Sequence, residues 1–127
     1  MIYKEEKLKA EWVKLSNNIK TIIRVIDCKL AKHDLQTRVT CIFRSVEDNI
    51  DLYKRIKQPC RPSLHSYFKA IDFTVCDLDG NKVEMTNDLI DEILDTNDAF
   101  PYGDGKHKSI IFHEGTGWHF HVQEPLD

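Results

Sequence analysis

At 127 residues the chain can bury one real hydrophobic core but not a second folded module, so a single domain over 1–127 is expected. Its 18 Lys and Arg against 21 Asp and Glu give a formal net charge of −3 with the signs interspersed, which leaves no basic stripe for nucleic acid. No apolar run approaches the roughly 18 residues of a membrane span, and Met1-Ile2-Tyr3-Lys4-Glu5-Glu6 has no apolar leader core, so no membrane partner and cytoplasmic synthesis are expected.

The first element expected is helical, within a segment of about 4–33. From Glu6 to about Leu30, Trp12, Leu15, Ile19, Ile22, Ile23, Ile26 and Leu30 recur at three- and four-residue steps. Ser16-Asn17-Asn18 prefer caps and are placed to divide it in two. Arg38 to Phe43 reads as a strand by its β-branched content, and Ser45 caps a helix starting at Val46. Pro59 to Pro62 is a loop. Ala70 to Cys76 alternates as a strand, with Ile71, Phe73 and Val75 inward and Ala70, Asp72 and Thr74 on the other face. Asp79-Gly80 favours a hairpin into Lys82-Val83-Glu84. Thr86 caps Asp88 to Leu94, Asn97 to Lys108 is a polar loop, and Ser109–Phe112 pairs with Trp118–Gln123 through Glu114-Gly115-Thr116-Gly117. Helices that precede and interrupt an antiparallel sheet make the class α+β. Cys28, Cys41, Cys60 and Cys76 form no C-x-x-C pair and are expected as buried or partly buried free thiols, Cys41 and Cys76 in strand cores.

The chemistry concentrates near the C-terminus. Alternation in Trp118-His119-Phe120-His121-Val122-Gln123 sends Trp118, Phe120 and Val122 to one face and His119, His121 and Gln123 to the other. Two imidazoles about 7 Å apart on one pleat are close enough to serve one metal site. Upstream, His65 and Asp72 would complete a two-His, one-Asp set with an open position for water, the usual arrangement of a catalytic zinc. Seven residues of straight strand would span about 23 Å, so the chain must fold back between His65 and Asp72, most simply through Ser66 to Lys69. His113 ends a strand and reads as structural, and His33 and His107 read as surface residues. Arg44 has an ordinary alternative as an ion-pair partner of Glu47 or Asp48.

Ser63-x-His65 followed by Ala70-x-Asp72 resembles the S-x-H-x-x-G-x-A-x-D signature of zinc peptidases that cut bacterial cell-wall peptides. These are the D-alanyl-D-alanine carboxypeptidases, the phage L-alanyl-D-glutamate endolysins and, more distantly, the hedgehog-type metallopeptidases. The resemblance covers about residues 36–124. It implies a small antiparallel sheet packed with helices, one Zn²⁺ held by His65, Asp72 and His121, and His119 as the catalytic helper. Val39 to Ser45 is similar to the family's strand ending in an arginine that faces substrate, which implies that role for Arg44. Phe68 stands at the signature's glycine, so a residue that disfavours positive φ must make the turn. Many members carry an acid three residues before the last histidine; here Trp118 stands there, and Glu114 is the nearest acid upstream. The function implied is hydrolysis of peptidoglycan stem peptides by a monomer that reaches the wall after release. The alternative is a zinc-binding recognition module of the same fold without hydrolysis. A cupin, which also uses H-x-H, needs its glutamate farther beyond His121 than Glu124 stands.

Overall fold

Ser16 begins the second helix of the chain, because its hydroxyl accepts from the Ile19 backbone N–H at 3.2 Å. In the computed structural model, which describes residues 1–114 and 117–126, the helices on either side are α1 (Lys7–Val13) and α2 (Asn17–Ala31). They follow a two-residue strand β1 (Ile2–Tyr3) and precede β2 (Leu35–Cys41), α3 (Val46–Arg55) and β3 (Ala70–Asp77). α4 (Asn87–Leu94), β4 (Ile110–His113) and β5 (His119–Gln123) complete the chain, with short 3-10 turns at Leu64–Tyr67 and Asp95–Ala99. Ser45 and Thr86 cap α3 and α4 through the Asp48 and Leu89 backbone N–H groups.

The fold is α+β: a five-stranded sheet in the order β1-β2-β3-β5-β4 packed with four helices. The apolar stripe of α2, Ile19, Ile22, Ile23, Ile26 and Leu30, is fully buried against Val39, Ile71, Phe73, Val75, Phe120 and Val122 from the sheet. Phe73 and Phe120 are cross-strand partners with rings stacked at 5.2 Å, and Phe112 packs tilted against Phe120 at 4.8 Å as the third ring in the row. Asp27 ties the helix to the sheet, accepting from both the backbone N–H and the hydroxyl of the buried Thr37 at 2.9 Å.

Several expectations need correction. The sheet is mixed rather than antiparallel, because β1 lies parallel to β2; two residues are too few to show a strand's alternation. β2 begins three residues earlier than expected and stops at Cys41, leaving Ile42 in the core beyond its end. Lys82 forms only an isolated bridge to Cys76 in place of a hairpin strand. Within the polar loop, residues up to Ala99 form a 3-10 turn. Gly115 and Thr116, the centre of the expected β4–β5 turn, lie outside the described residues. Cys28 and Cys60 are exposed rather than buried, and Cys41 is not a core residue, for a reason that bears on the site. An extra residue sits between Val39, which pairs with Phe73, and Cys41, which pairs with Asp72. Without it Cys41 would pair with Ile71 and face the core; the bulge turns it to the opposite face.

Candidate metal centre

The same register sets Cys41, Asp72 and His121 side by side on three adjacent strands, since Asp72 pairs with Cys41 on β2 and with His121 on β5. Residues directly opposite in a sheet point to one face, so all three project away from the core. His65 reaches the same place from the 3-10 turn before β3. The Ser63 hydroxyl accepts from the His65 backbone N–H at 3.2 Å, and Phe68 closes the turn in the left-handed conformation, at φ 56° and ψ 33°. The fold-back demanded by the His65 to Asp72 spacing therefore occurs, and Phe68 occupies the strained position itself. Its ring stacks on Phe43 at 4.8 Å, which helps hold a side chain that would not choose that backbone.

Asp72 is the hub. Its Oδ1 lies 3.2 Å from His65 Nε2 and 2.8 Å from His121 Nδ1, and its Oδ2 lies 4.0 Å from His119 Nε2. His65 is 3% exposed and Asp72 8%, so neither charge is diluted by water. Burial alone would lower the basicity of His65, but the hydrogen bond and charge of Asp72, with Cys41 adding to both, push it up to about 10. Burial likewise works to raise the Asp72 pKa, and the hydrogen bonds and charges of His121 and His65 outweigh it, holding the carboxyl well below its usual range.

The outer nitrogens of both imidazoles are committed. His65 Nδ1 lies 3.0 Å from the Ile42 carbonyl, which only accepts, so Nδ1 carries a proton and Nε2 is the nitrogen presented to Asp72. His121 Nε2 lies 3.1 Å from Gln123 Oε1, and the Gln123 amide is oriented by its Nε2 donating to the Lys108 carbonyl at 2.9 Å. An amide oxygen only accepts, so His121 Nε2 carries a proton and Nδ1 is left facing Asp72. Neighbouring donors on a tetrahedral ion with bonds of about 2.0–2.1 Å stand roughly 3.3 Å apart, which the two imidazole-to-carboxylate distances approach.

Cys41, His65 and Asp72 form a group that can hold a metal ion, each offering a ligand atom with all of these within 4.8 Å of one another. His121 does not fall in that group, although it makes the shortest contact to Asp72. Cys41 Sγ stands 3.7 Å from His65 Nδ1, on the side of the ring already bonded to Ile42. The two donor sets share His65 and Asp72 and differ in whether thiolate or imidazole is the third donor.

The other expected site residues are placed unequally. His119 is at the rim, its side chain 36% exposed and its ring 5.0 Å from that of His113, its β4 partner. Arg44 is fastened by its backbone, its N–H donating to the His65 carbonyl at 3.4 Å and its carbonyl accepting from the Ser66 hydroxyl at 2.7 Å. Its side chain borders a separate cleft between β2 and α3 that it shares with Cys41, and among the described residues it makes no ion pair with Glu47 or Asp48. Glu114 is exposed beyond the end of β4. Sequence reasoning did not find Cys41 or Gln123 as parts of the site, and it read His113 as structural. Gln123 shares the alternation of His119 and His121, a signal that was present. Cys41 has none, because a bulge does not show in composition. His113 rests 5.9 Å from His121, and burial followed by the His119 and His121 charges lowers its pKa.

The chain matches no protein-family model, no curated protein and no solved structure. No helix among the described residues is long and apolar enough to cross a membrane.

Proposed function

We propose that the chain is a zinc metallopeptidase that hydrolyses peptidoglycan stem peptides as a monomer, the reading implied by the S-x-H, A-x-D and H-x-H residues. The observation that carries it is the convergence of His65 Nε2 and His121 Nδ1 on Asp72 Oδ1 with both outer nitrogens locked. Support comes also from the backbone of Phe68, which adopts the left-handed conformation at the place where the resembled signature carries glycine. Zinc at His65, Asp72 and His121 would supply a Lewis acid for the scissile carbonyl and lower the pKa of bound water towards about 7. The protein's own part is positional. Ile42 and Gln123 fix which nitrogens face inward, and the His65 and His121 contacts hold the Asp72 carboxylate between them. His119, at the rim and 4.0 Å from Asp72 Oδ2, is placed to hold or pass the proton of an attacking water. Arg44 would meet the developing oxyanion by turning from the cleft that it shares with Cys41 towards the metal centre. Glu114 is the less favoured base, since its position beyond β4 requires a swing inward. That exposure favours, as second reading, a zinc-binding recognition module without hydrolysis.

The test pairs metal analysis with cleavage. Purified protein should hold one zinc per chain, and His65→Ala, Asp72→Ala or His121→Ala should lose it. Stem peptides should acquire new amino termini by mass spectrometry, an activity removed by chelator and restored by zinc. His119→Ala should keep the metal and lose roughly 10²–10⁴-fold in turnover. Zinc-loaded protein that cuts no stem chemistry leaves the recognition module; protein that takes up no zinc removes both readings.

A further inference from the structure

Beside the metal centre, on the same face of the sheet, lies a depression of about 270 Å³ whose walls include Asp72, His119 and Trp118. Its remaining charged walls are Lys4, Arg38 and Lys82. They arrive from three parts of the chain. Lys4 follows β1 and is anchored by its backbone N–H donating to the Val39 carbonyl at 2.8 Å. Arg38 stands on β2 between Ile2 of β1 and Thr74 of β3, its pairing partners. Lys82 comes from the segment after β3 and lies over the Trp118 ring at 4.5 Å. Asp72 is the one acid on these walls, and its oxygens face His65, His121 and His119. Among the described residues, none of the three cations forms an ion pair within 4.0 Å. A chain of net charge −3 thus gathers three cations around one small concavity, a positive local field that favours an anionic ligand.

We propose that this depression is a carboxylate subsite, in which Lys4, Arg38 and Lys82 hold a free carboxylate of the peptide next to the bond presented at the metal centre. The proposal rests on the peptidase reading for the identity of its ligand. Arg38 offers the planar fork that matches a carboxylate, while the two lysines act as point charges that admit it in more than one orientation. Trp118 forms an apolar wall and keeps the Lys82 ammonium over its ring rather than in bulk water. Because Asp72 and His119 border both places, a carboxylate seated here fixes the distance from substrate charge to scissile bond. The subsite would act as a ruler that selects stem peptides by the position of their acidic groups.

The experiment uses the full chain and one soluble stem peptide in two forms, with its carboxylates free or amidated. Dissociation constants come from titrations followed by the indole N–H signal of Trp118, with inorganic phosphate as a third probe. The free acid should bind at least tenfold tighter than the amide, the gap expected for one charge-assisted contact. It should narrow with salt. In the Arg38→Gln/Lys82→Gln variant, and separately in Lys4→Gln, it should shrink to threefold or less with zinc content unchanged. Equal affinity for the two forms, no affinity for either, or a gap that survives both variants would overturn the proposal. Phosphate competing as well as the free acid would overturn it too, since it would show a general anion site with no preference for the peptide. Carboxylate-selective binding without cleavage leaves the subsite standing and removes the peptidase; cleavage indifferent to amidation does the reverse.

Discussion

Gln123 holds the His121 ring by a two-step relay, Lys108 carbonyl to amide and amide to imidazole, at 2.9 and 3.1 Å. The relay would act on a metal bound at the proposed site only through the tautomer it selects. Gln123→Leu keeps a side chain of similar length in a position that is 8% exposed but leaves Nε2 without its acceptor. Zinc affinity is then expected to fall by roughly 10–100-fold, read by competition with a chromophoric chelator, with the amide NMR dispersion of β5 retained. Gln123→Glu should recover much of the loss, since a carboxylate oxygen also accepts from Nε2. A Leu variant that binds zinc as the wild type does would show that Asp72, rather than Gln123, orients the ring.

At the scale of elements, the site depends on two local departures from regular structure. The bulge before Cys41 was not legible in the sequence, because Val39-Thr40-Cys41-Ile42 reads as an uninterrupted strand-forming run. The turn before Asp72 was legible, because a distance argument required it whatever residues made it. Phe68 makes it with φ 56°, a conformation that costs a residue with a Cβ about 1–2 kcal/mol. Stacking on Phe43 and the Lys14 ammonium 5.4 Å from its ring offset that cost. Phe68→Ala loses the packing and keeps the strain, whereas Phe68→Gly loses both. Glycine should therefore be the milder substitution by about 1 kcal/mol in denaturant unfolding, even though it is ordinarily the more costly of the two within a regular element. If alanine proves the milder, the left-handed backbone is not a source of strain at this turn.

Across the whole molecule, what the sequence displayed was periodicity: the α2 stripe, the inward rows of β3 and β5, and the caps at Ser16, Ser45 and Thr86 all follow from spacing and residue type. What it hid was pairing between distant segments, such as Ile2 with Arg38 or Lys4 beside His119, which no local pattern encodes. The buried cluster around Asp72 couples that assembled fold to pH. His65 has a folded pKa of about 10, above the roughly 6.5 of an unfolded imidazole. The stabilisation it contributes is thus complete below about pH 6.5 and is lost as pH rises through the folded value. Asp72 is depressed, so its contribution is present above about pH 3.9 and is lost on acidification. The metal-free protein should accordingly weaken from neutral towards alkaline pH. On the proposed zinc reading, the ion would take the place of the His65 Nε2 proton, so its uptake should release protons and tighten by up to about tenfold per pH unit between pH 6 and 8.5. At a hundredfold excess over the dissociation constant, zinc adds about 2.7 kcal/mol, and at fixed zinc the difference in melting temperature from chelated protein should widen as pH rises. A difference that stayed constant or narrowed over that window would mean that the ion does not displace the His65 proton, and that the buried pair is a structural ion pair instead.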